Sequence, residues 1–238
     1  MAIAPFLAMT GAEICRNPQI PDKVAWMACH FSPYGLGLSN LPKKLPPGSL
    51  LMVDDITPIG KHDPNIILDQ LCTCAETFKS SGILLDFQRE GIEETAMLVQ
   101  RLSQDLPCPV GVSSYYADAC TCAVCVPPVP LSTPPEEYFK PWNGREIWLE
   151  LTTEGESITI TEKGASFRSL PCPVFPEREF RDDALFCHYH ILPEETEIKF
   201  LLRRTEEDLI ELLKQSEQYG VTTAIGLYQE FKKSIKQS

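Results

Sequence analysis

The chain is short of positive charge: 21 Lys and Arg stand against 33 Asp and Glu in 238 residues, a formal net charge of −12. A nucleic-acid-binding surface needs a basic stripe to neutralise phosphates, and none is present. The deficit is local. Residues 136–211 carry 18 acids and 9 bases, a field that repels anionic polymers and anionic membrane surfaces. Long apolar runs are missing as well, since no stretch reaches the roughly 18 residues of a membrane span. The apolar start, residues 1–10, lacks a basic n-region and is interrupted by Pro5, so it reads as a first strand rather than a signal peptide. A cytoplasmic protein that engages neither membrane nor nucleic acid is expected. Phosphate-binding signatures are also absent: there is no Gly-x-x-x-x-Gly-Lys and no Gly-x-Gly-x-x-Gly, and Gly35-Leu36-Gly37 alone makes a turn. Nor is there a Gly-x-Ser-x-Gly elbow to present a serine nucleophile. No cofactor is expected.

Histidine is scarce, at four residues. His188 and His190 alternate on one strand face, but hydrogen bonding is the commoner role for such histidines and no metal site is assigned to them. The ten cysteines are read as reduced, mostly buried thiols, because a disulfide scaffold is usually small, secreted and loop-rich. Cys120-Thr121-Cys122 and Cys125 could meet Cys72 and Cys74 as ligands, yet C-x-C pairs make poor zinc knuckles, and Cys122 and Cys125 point to opposite strand faces.

With 43% hydrophobic residues the chain can bury a core. Apolar runs punctuated by turns mark strands at 24–30, 50–55, 82–88, 109–114, 122–126, 146–152, 157–161, 184–190, 197–202 and 222–228. Several are apolar throughout, as suits strands buried on both faces of a parallel sheet. Three helices stand between them. Asp63 N-caps the first, with Pro64 in its first turn and Ile67, Leu71, Cys74, Ala75 and Phe78 on one stripe. The second runs over 91–105 with Ile92, Ala96, Val99 and Leu102 inward. The third opens on a Thr205-to-Asp208 capping box and ends before Gly220.

Alternating strands and helices predict an α/β fold, and eight or so strands with irregular helices predict a degenerate, single-domain TIM-barrel-like (β/α) barrel over residues 1–238. An open doubly wound sheet is the alternative. Only 13 residues separate Val112 from Cys125, so one crossover helix is shortened or missing. A β-hairpin insertion is expected over about 146–162, turning at Glu154-Gly155-Glu156, and the six prolines of 127–141 make a long loop.

In such a barrel the working residues lie where strands end. Those ends gather His30 and Tyr34, Asp54 and Asp55, Asp86 and Gln88, Tyr115, and Tyr228 with Glu230. Carboxylates, amides and aromatic rings together suit a polyhydroxylated ligand. The segment Ser81-Gly-Ile-Leu-Leu-Asp86-Phe87-Gln88 resembles the signature strand of the chitinase-like glycoside hydrolases of family 18, Asp-Gly-apolar-Asp-apolar-Asp-aromatic-Glu. Residues 220–230 are similar to the last strand of such barrels. Taken with the converging strand ends, the resemblance implies a sugar pocket held by His30, Tyr34, Asp54, Gln88, Tyr115, Tyr228 and Glu230. It also implies a departure: the family's catalytic Glu is Gln88 here, and an amide has no labile proton to give. Either hydrolysis falls to Asp55 and Asp86, or the protein is a catalytically inactive homologue that only binds. The rival expectation is a non-enzymatic interaction protein whose partner meets the acidic hairpin region and the proline-rich loop.

Overall fold

A computed structural model describes residues 3–17, 19–57, 62–89, 91–175 and 178–235. The elements in chain order are β1 (Phe6–Met9), α1 (Gly11–Arg16), β2 (Val24–Phe31), β3 (Leu38–Ser39), β4 (Leu50–Asp54), α2 (Pro64–Phe78), β5 (Gly82–Asp86), α3 (Glu93–Asp105), β6 (Val110–Ser113) and β7 (Ala123–Val126). Then come α4 (Pro135–Phe139), β8 (Ile147–Leu151), β9 (Gly155–Thr161), β10 (Gly164–Leu170), β11 (Phe180–Asp182), β12 (Cys187–Pro193), β13 (Glu197–Arg203), α5 (Glu206–Ser216), β14 (Val221–Leu227) and α6 (Tyr228–Ile235).

Eight strands run parallel in the order β1, β2, β4, β5, β6, β7, β8, β14, and the ring closes because β1 pairs with both β2 and β14. Leu7 stands opposite Val24 on one side and Gly226 on the other. That closure excludes the open doubly wound sheet. Closure also leaves no edge to cover, apart from the two-residue β3 laid antiparallel on β2.

The helix signals work as physical chemistry requires. Asp63 accepts the Asn65 amide at 2.8 Å ahead of Pro64. Thr205 and Asp208 exchange hydrogen bonds at the start of α5. Gly220 takes φ +92°, and a Cβ there would lie 2.6 Å from the Arg145 carbonyl oxygen. The second helix begins at Glu93 and buries Thr95, Leu98, Val99 and Leu102, so Ile92 caps it and Ala96 sits at its margin. The crossover between β6 and β7 shrinks to the 3-10 turn Ser114–Ala119. Between β2 and β4 the described chain has no helix at all.

The insertion differs most from expectation. β8 pairs with β7 and β14 as a barrel strand and takes no part in a hairpin with β9. Instead β9 turns into β10 around residues 162–163, and these two join β11, β12 and β13 in a five-stranded antiparallel sheet. Strand β12 starts at Cys187, three residues later than the apolar run, because Asp182 accepts the amides of Ala184 and Leu185 and holds them in a turn. The buried Arg204 fastens this sheet to the proline-rich loop, donating to the carbonyls of Val129, Pro130, Leu185 and Phe186. Much of the acidic excess is spent here. Arg181 meets Asp183, Asp208 and Glu211, and Glu179 meets Arg203 and His188.

Candidate functional site

Strand alternation sends every second side chain into the barrel. Trp148 fills the interior near the strand starts, and it does so because Gly82 and Gly111 carry no side chain: a Cβ at either would meet the indole at 2.8 or 2.4 Å. Phe6, Ala8, Ala25, Leu50, Leu84, Ala123, Cys125 and Ile225 pack around it. The next inward position toward the strand ends is acidic on three strands. Asp54 ends β4, Asp86 ends β5 directly opposite it in register, and Glu150 stands two residues beyond Trp148 on β8.

These carboxyls share one desolvated mouth. Burial pushes Asp86 up, helped by Asp54 and Asp55 and opposed by the hydrogen bond from the Gln88 amide. Burial likewise raises Asp54, with the Ile56 amide and His30 opposing. Glu150 is lifted to about 7, first by burial and then by Asp86. The Cys125 thiol lies 3.9 Å from the Glu150 carboxyl, and burial drives it well above the usual thiol range. Tyr138, which donates to the Pro127 carbonyl at 2.6 Å, is also raised by burial and then by Glu150. A carboxyl titrating near neutrality is suited to general-acid work.

The structure therefore brings together His30, Asp54, Asp86 and Gln88, and adds Glu150, which the sequence reading missed. Its signal was available: a lone acid inside the otherwise apolar run Ile147–Leu151, on the same face as Trp148. Asp55 has another task. It is 2% exposed, and its two carboxylate oxygens accept the backbone amides of Gln88 and Arg89 at 2.9 and 3.1 Å. Adjacent residues face opposite ways, so Asp54 enters the barrel and Asp55 holds the loop after β5.

The aromatic expectations fare differently. Tyr34 is 99% exposed on the loop before β3. Tyr115 sits with Tyr116 in a shallow cleft against the start of α3. Tyr228 and Glu230 open α6 instead of ending β14. Asn17 donates to the Tyr228 hydroxyl at 2.7 Å, and Glu230 accepts from Thr152 and Thr153. Of the histidines, His188 meets Glu179 and Asp208, while His190 meets the Arg178 carbonyl. Among the described residues no three His, Cys, Asp or Glu side chains gather as metal ligands, and no helix is long and apolar enough to cross a membrane.

Beside the mouth, the loops after β7 and β8 and strand β10 enclose a cavity of about 430 Å3, with the exposed ring of Phe167 on its wall. A cavity of about 1000 Å3 lies elsewhere, outside the barrel between α1, β2 and residues 40–47.

No protein-family model matches the chain, and no curated protein matches it. Solved structures do. A class V chitinase from Nicotiana tobaccum is 6% identical with a TM-score of 0.58, covering 95% of this chain and 93% of its own. A chitinase from Chromobacterium violaceum is 12% identical with a TM-score of 0.56, covering 98% of both chains. The spore cortex-lytic enzyme SleL of Bacillus cereus is 11% identical with a TM-score of 0.57, covering 94% of this chain and 70% of its own. The tobacco enzyme is also known as a glutamate-to-glutamine variant in complex with NAG4. At these identities the likeness is one of fold: the chain is a closed, eight-stranded chitinase-like barrel.

Proposed function

We propose that this protein binds an oligosaccharide of the N-acetylglucosamine type across the mouth of the barrel, with Asp86, Gln88, Asp54 and His30 as polar partners. The observation that carries this reading is the Asp86–Gln88 pair at the end of β5, where the family-like strand places an aspartate and its catalytic glutamate. The tobacco enzyme solved in complex with NAG4 is itself a glutamate-to-glutamine variant. Gln88 can hold a ligand and orient Asp86, but it cannot protonate a leaving oxygen. Binding without the family's acid step is the result.

Hydrolysis, if it occurs, draws on Asp86 and Glu150 rather than Asp55, whose carboxylate oxygens are engaged by backbone amides. Glu150 supplies the group that holds a proton near neutral pH, and Asp86 its carboxyl partner.

Calorimetry with chitotetraose tests the reading. Saturable binding by the wild type, lost in Asp86→Asn without a drop in melting temperature, supports it. Gln88→Glu supplies the missing acid and is expected to gain chitotetraose cleavage. Absence of binding to chitotetraose and to a panel of other oligosaccharides would refute it.

One observation favours a second reading, a protein-interaction role. The apolar cavity outside the barrel, walled by Ile14, Trp26, Leu41 and Leu45 and rimmed by Lys43 and Lys44, offers a concave face that carbohydrate binding does not use. It lies away from the acidic region and the proline-rich loop, where the sequence had pointed. A partner captured at this face, with its binding abolished by Trp26→Ala and untouched by Asp86→Asn, would move the assignment there.

A further inference from the structure

Cys120-Thr121-Cys122 is not used by the mouth. It lies at the other end of the barrel, where the turn Ser114–Ala119 leads into β7. The two sulfurs are 2.8 Å apart, approaching the disulfide bond length of about 2.05 Å. The backbone that carries them is clamped. The Arg145 guanidinium donates to the carbonyls of Ala117, Cys120 and Cys122 at 3.2, 3.1 and 2.9 Å. Both thiols are partly exposed, in a cleft of about 410 Å3 that also takes in Gln100, Ser103 and Gln104 of α3.

The electrostatics single out one sulfur. The contact with Cys122 brings Cys120 down to about 6 against the opposing effect of burial, and Arg145 adds to the fall. Cys122 is raised by the same contact and by burial. Burial pushes Cys29, Cys72, Cys74, Cys108, Cys125 and Cys187 upward, toward inert thiols. An accessible thiolate beside a protonated thiol, next to a fixed cation, is the arrangement that thiol–disulfide exchange requires.

We propose that Cys120 and Cys122 form a thiol–disulfide exchange site whose substrates are small disulfides of the glutathione type. The Cys120 thiolate attacks one sulfur of the disulfide, forming a protein–glutathione bond and expelling one glutathione thiolate, which takes up a proton. Cys122 then loses its proton and attacks the Cys120 sulfur, closing the Cys120–Cys122 bond and releasing the second glutathione. The protein dithiol is oxidised by two electrons and the small disulfide is reduced to two thiols.

The test uses the reduced full-length chain with glutathione disulfide, followed by alkylation and mass analysis of the peptide that contains both cysteines. The wild type is expected to lose two hydrogens from that peptide and retain no glutathione. Cys122→Ser is expected to keep one glutathione on Cys120, and Cys120→Ser to leave Cys122 free. In a separate alkylation at about pH 6.5, Cys120 should react about tenfold faster than the exposed Cys15 and Cys172. The wild-type measurement needs no variant to fold. Glutathione lodged on Cys15 or Cys172 while Cys120 and Cys122 both stay alkylatable would overturn the proposal, as would a stable wild-type adduct on Cys120.

Discussion

Replacing Glu150 with Gln removes a carboxyl that the barrel mouth holds at a cost. Burial and then Asp86 lift Glu150 from 4.5 to about 7, a displacement that corresponds to about 3 kcal/mol. The folded state thus binds this proton more tightly than the unfolded chain. Below about pH 4.5 both states are protonated and Glu150 carries no penalty; stability then falls as pH rises through about 7, beyond which the full penalty applies. Gln stays neutral throughout, so the variant should match the wild type near pH 4 and exceed it by about 3 kcal/mol above pH 8. For a chain of this size that is about 6–12 °C in melting temperature. Asp54 and Asp86 titrate in both proteins, so their own contributions largely cancel in the difference. Urea unfolding across this pH range measures the gap directly. Two curves that run parallel, or a gap that opens toward acid instead of alkali, would refute the account of the mouth.

Three further substitutions probe what surrounds it. Asp55→Ala strips the acceptor from the Gln88 and Arg89 amides, and should cost about 2–4 kcal/mol in urea unfolding while weakening oligosaccharide binding only through the displaced loop; unchanged stability would return Asp55 to the list of catalytic groups. Gly111→Ala drives a methyl group into the Trp148 ring, with an expected loss of about 1–3 kcal/mol and a shift in tryptophan emission. Arg204→Met leaves the carbonyls of Val129, Pro130, Leu185 and Phe186 without their donor. A loss of about 3–5 kcal/mol is expected, read as a lowered melting temperature and faster proteolysis within residues 127–141.

The barrel was legible because its parallel strands are buried on both faces, and runs such as Gly82–Asp86 and Ala123–Val126 announce themselves without needing a partner. Helix caps are local chemistry, which is why Asp63, Thr205 and Gly220 could be placed from a few neighbours. The insertion was less legible because β9 pairs with β10 and with the distant β13, and pairing across about 40 residues leaves no mark on local alternation. The site divides along the same line. Asp86 and Gln88 stood inside a recognisable strand, whereas Glu150 joined them only through the curvature of the barrel. Tyr228 and Glu230 follow an apolar strand directly, and a strand that passes into a helix without a turn residue hides its own boundary.

Gln88 is also intelligible from the electrostatics of the mouth. Asp54, Asp86 and Glu150 are already raised by burial, with Asp54 adding to Asp86 and Asp86 to Glu150, and a glutamate at the exposed position 88 would set a further acid against Asp86. Two like charges in a low-dielectric site cannot both ionise freely, so each added carboxylate lifts the others. The amide instead donates to Asp86 and lowers it. Gln88→Glu should therefore gain its proton-donating capacity together with a stability penalty. The penalty grows with pH as the added carboxyl ionises, and fades on the acid side where the group is protonated in both states. Cleavage of chitotetraose by that variant, accompanied by a melting temperature that falls toward alkaline pH more steeply than the wild type's, would show that the same residue sets both the chemistry and the charge balance of the mouth. Cleavage with no such steepening would place the new glutamate outside the carboxylate cluster.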